Sequence, residues 1–340
     1  MKIVIATDAW RPQVNGVVHT LERMTKAATE MDAEFAFVTP QGFSTVPLPT
    51  YPDIRVALAS TQEVGKQIER SGADHVHIAT EGPIGWAARQ HCRARGRLFT
   101  TSYHTRFPEY ISARTLLPEA WTYEALRRFH APAARVMAPT PSIRSELHRR
   151  GFDRVEVWTR GVDHSLFHPE KRAEFDLPRP IFLYVGRVAV EKNLEAMLSL
   201  DLPGSTVIVG DGPARPSLQQ RFPHAHFLGS RSGDALSRVY ASADVFVFPS
   251  RTDTFGIVLI EALASGLPVA AFPVTGPIDV IGDSGAGVLS DDLREACLAA
   301  LEIPREKPRA HSLNFTWRES ARQFLGHIEA SRAERFLAAV

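Results

Sequence analysis

The stretch ADVFVFPSRTDTFGIVLIEALASGLP, residues 243–268, decides how the rest of the chain is read. Four apolar residues, Val245 to Phe248, follow an Asp and are closed by Pro249, the pattern of a short strand buried on both faces. A polar loop, Ser250 to Gly256, leads into Ile257, Leu259, Ile260, Leu263 and Ala264 at helical spacing, and Gly266 and Pro268 stop the helix. Val269 to Phe272 then opens the next strand. A parallel strand feeding a helix N-terminus through such a loop makes an anion site, because the first helical amides lack partners and the dipole favours phosphate. Asp253 and Glu261, eight residues apart, frame that site. A carboxylate accepts hydrogen bonds from sugar hydroxyls, so phosphate beside two such acceptors describes a nucleotide-sugar. The same two acids also read as a helix-start Asp and a solvated Glu.

Working outward, Ile181 to Val185 is a second buried strand, followed by GRVAVEKNL, residues 186–194. Arg187 and Lys192 lie five apart across a strand-to-helix loop, and two cations at the carboxyl edge of a strand suit a diphosphate. They also read as surface charges paired with Glu191 or Glu195. Val207 to Val209 with the turn Gly210-Asp-Gly-Pro213, and Phe227-Leu228 with Gly229 and Arg231, continue the pattern. In the front half, Lys2 to Ala6 is a strand and Asn15-Gly16 opens a helix over Val17–Met31, where open sheets bind ligands. Strands over Glu34–Thr39, Ile54–Leu58, His75–Ala79, Leu98–Ser102, Arg135–Pro139 and Val155–Trp158 alternate with helices over Gln62–Ser71, Ile84–Arg95, Trp121–His130 and Pro141–Arg150. Residues 47–52 read as a loop. This alternation predicts an α/β chain of two doubly wound, Rossmann-like parallel sheets.

At 340 residues the chain has room for two domains, and 44% hydrophobic with 23% charged residues supplies proper cores. A net charge of +1 argues against a generic nucleic-acid binder. Residues 1–168 carry 21 Lys and Arg against 17 Asp and Glu, and residues 169–340 carry 18 against 21, so the front half is mildly basic. Cys92 and Cys297 fall one in each half and form neither a disulfide framework nor a zinc site. No apolar run approaches the roughly 20 residues of a membrane span. The opening MKIVIATDAW is too short in its apolar part for a signal peptide, so a cytoplasmic protein is expected, peripheral on the inner face of the cell membrane.

TDTFGIVLIEALASGLPV resembles the signature segment of glycosyltransferase family four, retaining nucleotide-sugar enzymes of the two-domain GT-B fold. That family usually carries Glu, seven residues and a second Glu; here the second is Glu261, but the first is Asp253, one methylene shorter. The resemblance implies that Asp253 contacts the donor sugar, that Glu261 contacts the ribose, and that the segment Thr254, Phe255, Gly256 and Ile257 offers amides to the phosphates. The match to the family's GR…EKN segment implies that Arg187 and Lys192 clamp the diphosphate. Asn15 and Gly16 resemble its N-terminal glycine loop, and Gly229 and Arg231 fall where relatives hold the base. SYHTRFPEY, residues 102–110, is similar to the HT-x-FP-x-Y segment of the branch that makes sugar-diacylglycerol lipids and mannosides. There the His contacts the donor sugar near the reacting carbon, so His104 becomes the leading candidate for the catalytic centre; without that resemblance a lone His past a strand end reads more often as a satisfied polar side chain. Thr159 to Asp163 resembles the family's crossing between domains. The expected division is residues 1–165 on the acceptor side, 166–320 on the donor side, and a terminal helix, 321–340, returning to the first domain.

The expected reaction moves a hexose, glucose or glucuronate, from a UDP-sugar to a membrane lipid such as diacylglycerol, with retention. GDP-mannose-dependent mannosyl transfer is the alternative, followed by a nucleotide-sugar 2-epimerase or a non-catalytic sensor. No Asp-x-Asp pair occurs, so neither metal nor other cofactor is expected, and the two cations take the place of a metal. No obligate protein partner is inferred. Five arginines between Trp86 and Phe107, and six between Ala125 and Arg150, lie among Trp86, Phe107, Tyr110, Trp121, Tyr123 and Phe129. That is the composition of a face for an anionic membrane, or of a solvated basic surface.

Overall fold

The computed structural model describes residues 1–13, 15–48, 51–112, 118–173 and 175–338. The chain divides into two compact units, residues 1–160 with 317–340, and residues 161–316. In order, the first runs β1 (Lys2–Ala6), α1 (Gly16–Thr29), β2 (Glu34–Val38), β3 (Thr45–Leu48), β4 (Tyr51–Ala57), α2 (Thr61–Arg70), β5 (His75–Ile78) and α3 (Pro83–Ala94). It continues with β6 (Phe99–Ser102), α4 (Phe107–Ser112), α5 (Glu119–His130), β7 (Val136–Ala138), α6 (Pro141–Arg149) and β8 (Val155–Val157). The second holds β9 (Ile181–Val185), α7 (Leu194–Leu198), β10 (Ser205–Val209), α8 (Arg215–Arg221), β11 (His226–Gly229), α9 (Gly233–Ser242) and β12 (Val245–Phe248). Then come α10 (Ile257–Ala264), β13 (Val269–Ala271), α11 (Pro277–Val280), β14 (Gly287–Leu289), α12 (Leu293–Ala300) and α13 (Glu306–Ser312), and the chain ends in α14 (Trp317–Ala338).

Each unit is built on a six-stranded parallel sheet. The orders are β2-β1-β5-β6-β7-β8 and β11-β10-β9-β12-β13-β14. Helices cover both faces, so the central strands read as unbroken apolar runs: every residue of β9 (IFLYV) and β12 (VFVF) is buried. Strand order reverses between β1 and β5 in the first unit and between β9 and β12 in the second. Such reversals open a crevice at the carboxyl ends of the strands, where ligands bind in open sheets.

The terminal helix belongs to the first unit. Ala321, Phe324, Leu325 and Ile328, one helical stripe, pack on Ile3, Ile5, Leu21, Met24 and Trp158. The Trp158 indole N–H donates to the backbone oxygen and hydroxyl of Ser320, at 3.1 and 3.0 Å.

Two local readings need correction. The predicted 47–52 loop and Ile54–Leu58 strand are instead a separate antiparallel hairpin, β3 with β4, in which Val46 faces Val56; residues 49 and 50 lie outside the described residues. Proline lacks an amide donor, and a two-stranded ribbon with two edges tolerates Pro47 and Pro52 where a central strand would not. The short α4 and the three-residue β14 had no periodicity long enough to be read.

Candidate active site

The second unit's switch point is assembled from the loops after β9 and β12. The buried Tyr184 hydroxyl donates to the Arg187 carbonyl at 2.9 Å, fixing the turn that holds the exposed Arg187 at the end of β9. A 3-10 turn, Val190–Lys192, follows, and Asn193 leaves it in the left-handed region at φ 54°. Asn tolerates that conformation because its short amide can bond locally. Here the amide donates to the Pro249 carbonyl at 3.1 Å and ties the two loops together. Across that tie Lys192 Nζ meets Asp253 Oδ1 at 2.5 Å, with side chains only 19% and 17% exposed. The other oxygen, Asp253 Oδ2, is buried with no hydrogen-bond partner among the described residues.

Gly256, at φ 80°, turns the chain into α10, and any side chain there would press on Leu259 and Phe248. The Phe255 ring points into the core beside Phe315, so Phe255 can offer a ligand only its backbone. Thr254 and Ile257 are partly buried on either side. Glu261, one turn into α10, is buried, and the Tyr240 hydroxyl donates to its Oε2 at 3.0 Å. Burial, then the Glu261 charge, drives the Tyr240 pKa well above 10, so this phenol keeps its proton. Beyond β10 and β11 the GDGP turn is packing: a side chain at Gly210 would collide with the Gly186 carbonyl. Gly229 sits at φ 71° and Arg231 is exposed beyond it.

In the first unit Asn15 caps α1, its Oδ1 accepting from the Val17 and Val18 amides at 3.1 and 3.0 Å, and Gly16 is the first helical residue. Asp8 does likewise for α3, accepting from the Ile84 and Gly85 amides and from Thr80 Oγ1. Burial nevertheless raises the Asp8 pKa above the usual carboxylate range. Past β6, His104 is partly buried with its ring edge-on to Trp158, and Arg160 Nη2 lies 3.1 Å from its Nδ1. Desolvation first, then the Arg160 charge, holds the His104 pKa well below 6.5. Arg160 itself is buried, and desolvation lowers its pKa to about 9.

The chain matches two family models, one described as Glycosyltransferase Family 4 over residues 14–166 and one as Glycosyl transferases group 1 over residues 179–303. It is 31% identical over 373 residues to a GDP-mannose-dependent alpha-mannosyltransferase of Mycobacterium tuberculosis, an alignment spanning 98% of each chain. The chain belongs to glycosyltransferase family four. A second relative of this glycosyltransferase, sulfoquinovosyl transferase SQD2 of Arabidopsis thaliana, is 32% identical over 72% of this chain and 52% of that one. Among solved structures it resembles sucrose-phosphate synthase from Thermosynechococcus elongatus, with a TM-score of 0.80, 20% identity and 100% of both chains covered. It also resembles Anabaena Alr3699/HepE in complex with UDP-glucose, with a TM-score of 0.71, 15% identity and 97% and 100% covered. Both show the two-domain GT-B fold.

The structure redraws this glycosyltransferase's basic face. Arg106 lies inside a network with Glu109, Glu146 and the Tyr123 hydroxyl. Arg150 reaches Glu146 and stacks on Tyr123, while Arg127 and Arg128 both hold Glu124. Arg97 binds Glu69, Arg135 binds Glu156 and Glu334, and Arg89 donates to the last carbonyls of α5. Seven of the eleven arginines are therefore engaged internally. Arg93, Arg95, Arg144 and Arg149 have no ion pair among the described residues. Trp121, Phe107 and Trp86 remain exposed at 69%, 39% and 42%, and the Tyr110 side chain lies outside the described residues. Among the described residues no group of three His, Cys, Asp or Glu is placed to hold a metal ion, and no helix is long and apolar enough to cross a membrane.

Proposed function

We propose that this glycosyltransferase moves a hexose from a UDP-sugar to a lipid hydroxyl such as that of diacylglycerol, with retention and without a metal. The observation that carries the reading is the Lys192–Asp253 pair at the β9/β12 switch point: a cation for a leaving diphosphate and a carboxylate for sugar hydroxyls, side by side. The anomeric C–O bond to phosphate breaks, the acceptor oxygen bonds to the same carbon face, and the acceptor's proton passes to the departing diphosphate. Arg187, Lys192 and the amides of residues 254–257 stabilise the charge that develops on that diphosphate. The neighbour that binds UDP-glucose supports a UDP-sugar donor. The 98% coverage of the mannosyltransferase supports GDP-mannose as the second reading.

Exposed Trp121, Phe107 and Trp86, with the four arginines that have no ion pair among the described residues, support a membrane acceptor; basic residues near an anionic leaflet contribute about 1 kcal/mol each. The test incubates the protein with UDP-glucose, UDP-glucuronate or GDP-mannose, with vesicles containing diacylglycerol and anionic lipid, and with chelator present. Nucleoside diphosphate release that requires the vesicles is expected. Charge reversal at Arg144 and Arg149 should weaken sedimentation with vesicles at low salt, whereas reversal at Arg127 and Arg128 would also disrupt Glu124. Turnover on a water-soluble acceptor with no vesicle binding would defeat the lipid reading.

Asp253 supplies a second expectation. Its Oδ1 is tied to Lys192, while Oδ2 is buried with no hydrogen-bond partner among the described residues, an acceptor left over for a donor-sugar hydroxyl once the site rearranges around its ligand. Asp253→Glu should change the ranking of sugar donors, and Asp253→Ala should abolish transfer; an unchanged ranking in both variants would remove Asp253 from the donor site.

A further inference from the structure

The segment Thr159-Arg-Gly-Val-Asp163 reads in sequence as a domain crossing, yet Arg160 turns back into the first unit. It is 3% exposed, and its guanidinium lies 4.5 Å from the Trp158 ring centroid. Nη1 donates to the Trp158 and Thr159 carbonyls at 2.5 and 3.3 Å, which fixes the plane of the fork. Nη2 then points at His104 Nδ1, 3.1 Å away. A guanidinium has five donors and no acceptor, so the facing imidazole nitrogen must offer a lone pair. In a neutral ring with Nδ1 as acceptor, the proton is on Nε2.

We infer that Arg160 is a positioning residue for His104: by donating to Nδ1 it holds the ring in the Nε2–H tautomer, so His104 meets its ligand as a hydrogen-bond donor. The inference rests on the glycosyl-transfer reading above and on the HT-x-FP-x-Y resemblance, which puts the donor sugar at His104, and it says what the sugar oxygen there must be, an acceptor. It also removes His104 from proton transfer, because a protonated ring would turn an N–H toward Arg160. The charged and titratable groups facing the ring act in the same direction: the Arg160 cation first, then His77. Trp158 packs edge-on against the His104 ring, with centroids 5.7 Å apart, and also lies under the Arg160 guanidinium.

Nitrogen-15 spectra of the histidine side chains in the full-length protein test the tautomer without any substrate. The His104 signals are identified by their loss in His104→Ala. A pyrrole-type Nε2 and a pyridine-type Nδ1 are expected throughout about pH 5 to 8, where an ordinary histidine titrates. Arg160→Met should mix the tautomers and raise the titration midpoint, and Arg160→Lys, which keeps a donor-only cation, should restore the Nε2 form. Nucleoside diphosphate release from whichever of UDP-glucose, UDP-glucuronate or GDP-mannose is turned over supplies the second readout. Arg160→Met should lower kcat/KM about three- to tenfold, the loss of one hydrogen bond to a neutral group. It should cost nothing further in a His104→Ala background. A proton on Nδ1 in the native protein, or an Arg160→Met loss that persists undiminished beside His104→Ala, would overturn the assignment. If none of UDP-glucose, UDP-glucuronate and GDP-mannose is turned over, the functional reading fails while the spectra still decide the tautomer.

Discussion

Lys192→Ala is expected to lower turnover by about a hundred- to a thousandfold, the usual effect of removing one preorganised contact to developing charge. The loss should fall on kcat with chelator present, because the negative charge grows on the diphosphate as the anomeric bond breaks. A second effect accompanies the first. Lys192 neutralises a carboxylate that is only 17% exposed, so truncating it strands the Asp253 charge at a cost on the order of 3 kcal/mol of stability. The two effects separate in the pair Lys192→Met with Asp253→Asn, which removes both charges. Urea unfolding of the double variant should recover most of the stability lost in the single variant, while turnover stays low. If turnover recovered as well, the rate loss in Lys192→Ala would be misfolding, and the clamp would be wrong. Arg187→Ala should give the rate loss with a much smaller stability loss, since Arg187 is exposed and exposed charge contacts contribute at most about 1 kcal/mol.

Much of the fold could be read before the structure because a parallel strand covered on both faces leaves a distinctive trace. IFLYV and VFVF carry no charged residue, and a short apolar run of that kind, followed by a polar loop and then helical spacing, fits a doubly wound sheet far better than a barrel or a bundle. What could not be read is pairing across distance. Lys192 has Glu191 and Glu195 beside it in sequence, yet its ammonium reaches Asp253, and Glu195 is held by Arg221. The arginines mislead for the same reason. Counted along the chain they outnumber acids heavily, but Glu109, Glu124 and Glu156 lie just outside the counted segments, Glu69 lies farther upstream, and all four fold back onto them. Local charge density is a property of sequence, whereas surface charge is a property of packing. Nothing in the spacing of Asn193, Tyr240 and Arg160 marks them. Each acts through a hydrogen bond to a residue remote in sequence.

The first unit should lose stability steeply between about pH 7 and pH 5, and its buried histidines are the cause. His75 and His77 share the Thr100 hydroxyl at 3.0 and 2.9 Å, and Ser102 Oγ lies 2.9 Å from the other nitrogen of His77. Both rings are at most 1% exposed, and desolvation lowers the His75 pKa to about 3, with the Arg332 and Arg97 charges acting the same way. Burial holds His77 well below 6.5, with His75 adding to the effect. Neutral in the folded chain, both rings take up protons on unfolding once the pH falls below about 6.5, so the unfolded state binds more protons and acid favours it. Their contribution is complete above that pH and declines at up to about 1.4 kcal/mol per pH unit for each ring. By pH 5 that amounts to about 2 kcal/mol each, a large share of a typical domain's 5–15 kcal/mol. The Asp8 carboxyl, pushed upward by burial, acts in the opposite sense, but it is common to the native protein and any histidine variant and cancels in their difference. All five tryptophans, Trp10, Trp86, Trp121, Trp158 and Trp317, belong to the first unit, so fluorescence-detected urea unfolding reports on it alone. The native protein's unfolding free energy should fall with pH about one proton more steeply than that of His77→Gln, which keeps a polar group near Thr100 and Ser102 but cannot titrate. Equal slopes would mean that His77 is protonated in the folded chain, and that the polar row along β5 and β6 is charged at neutral pH.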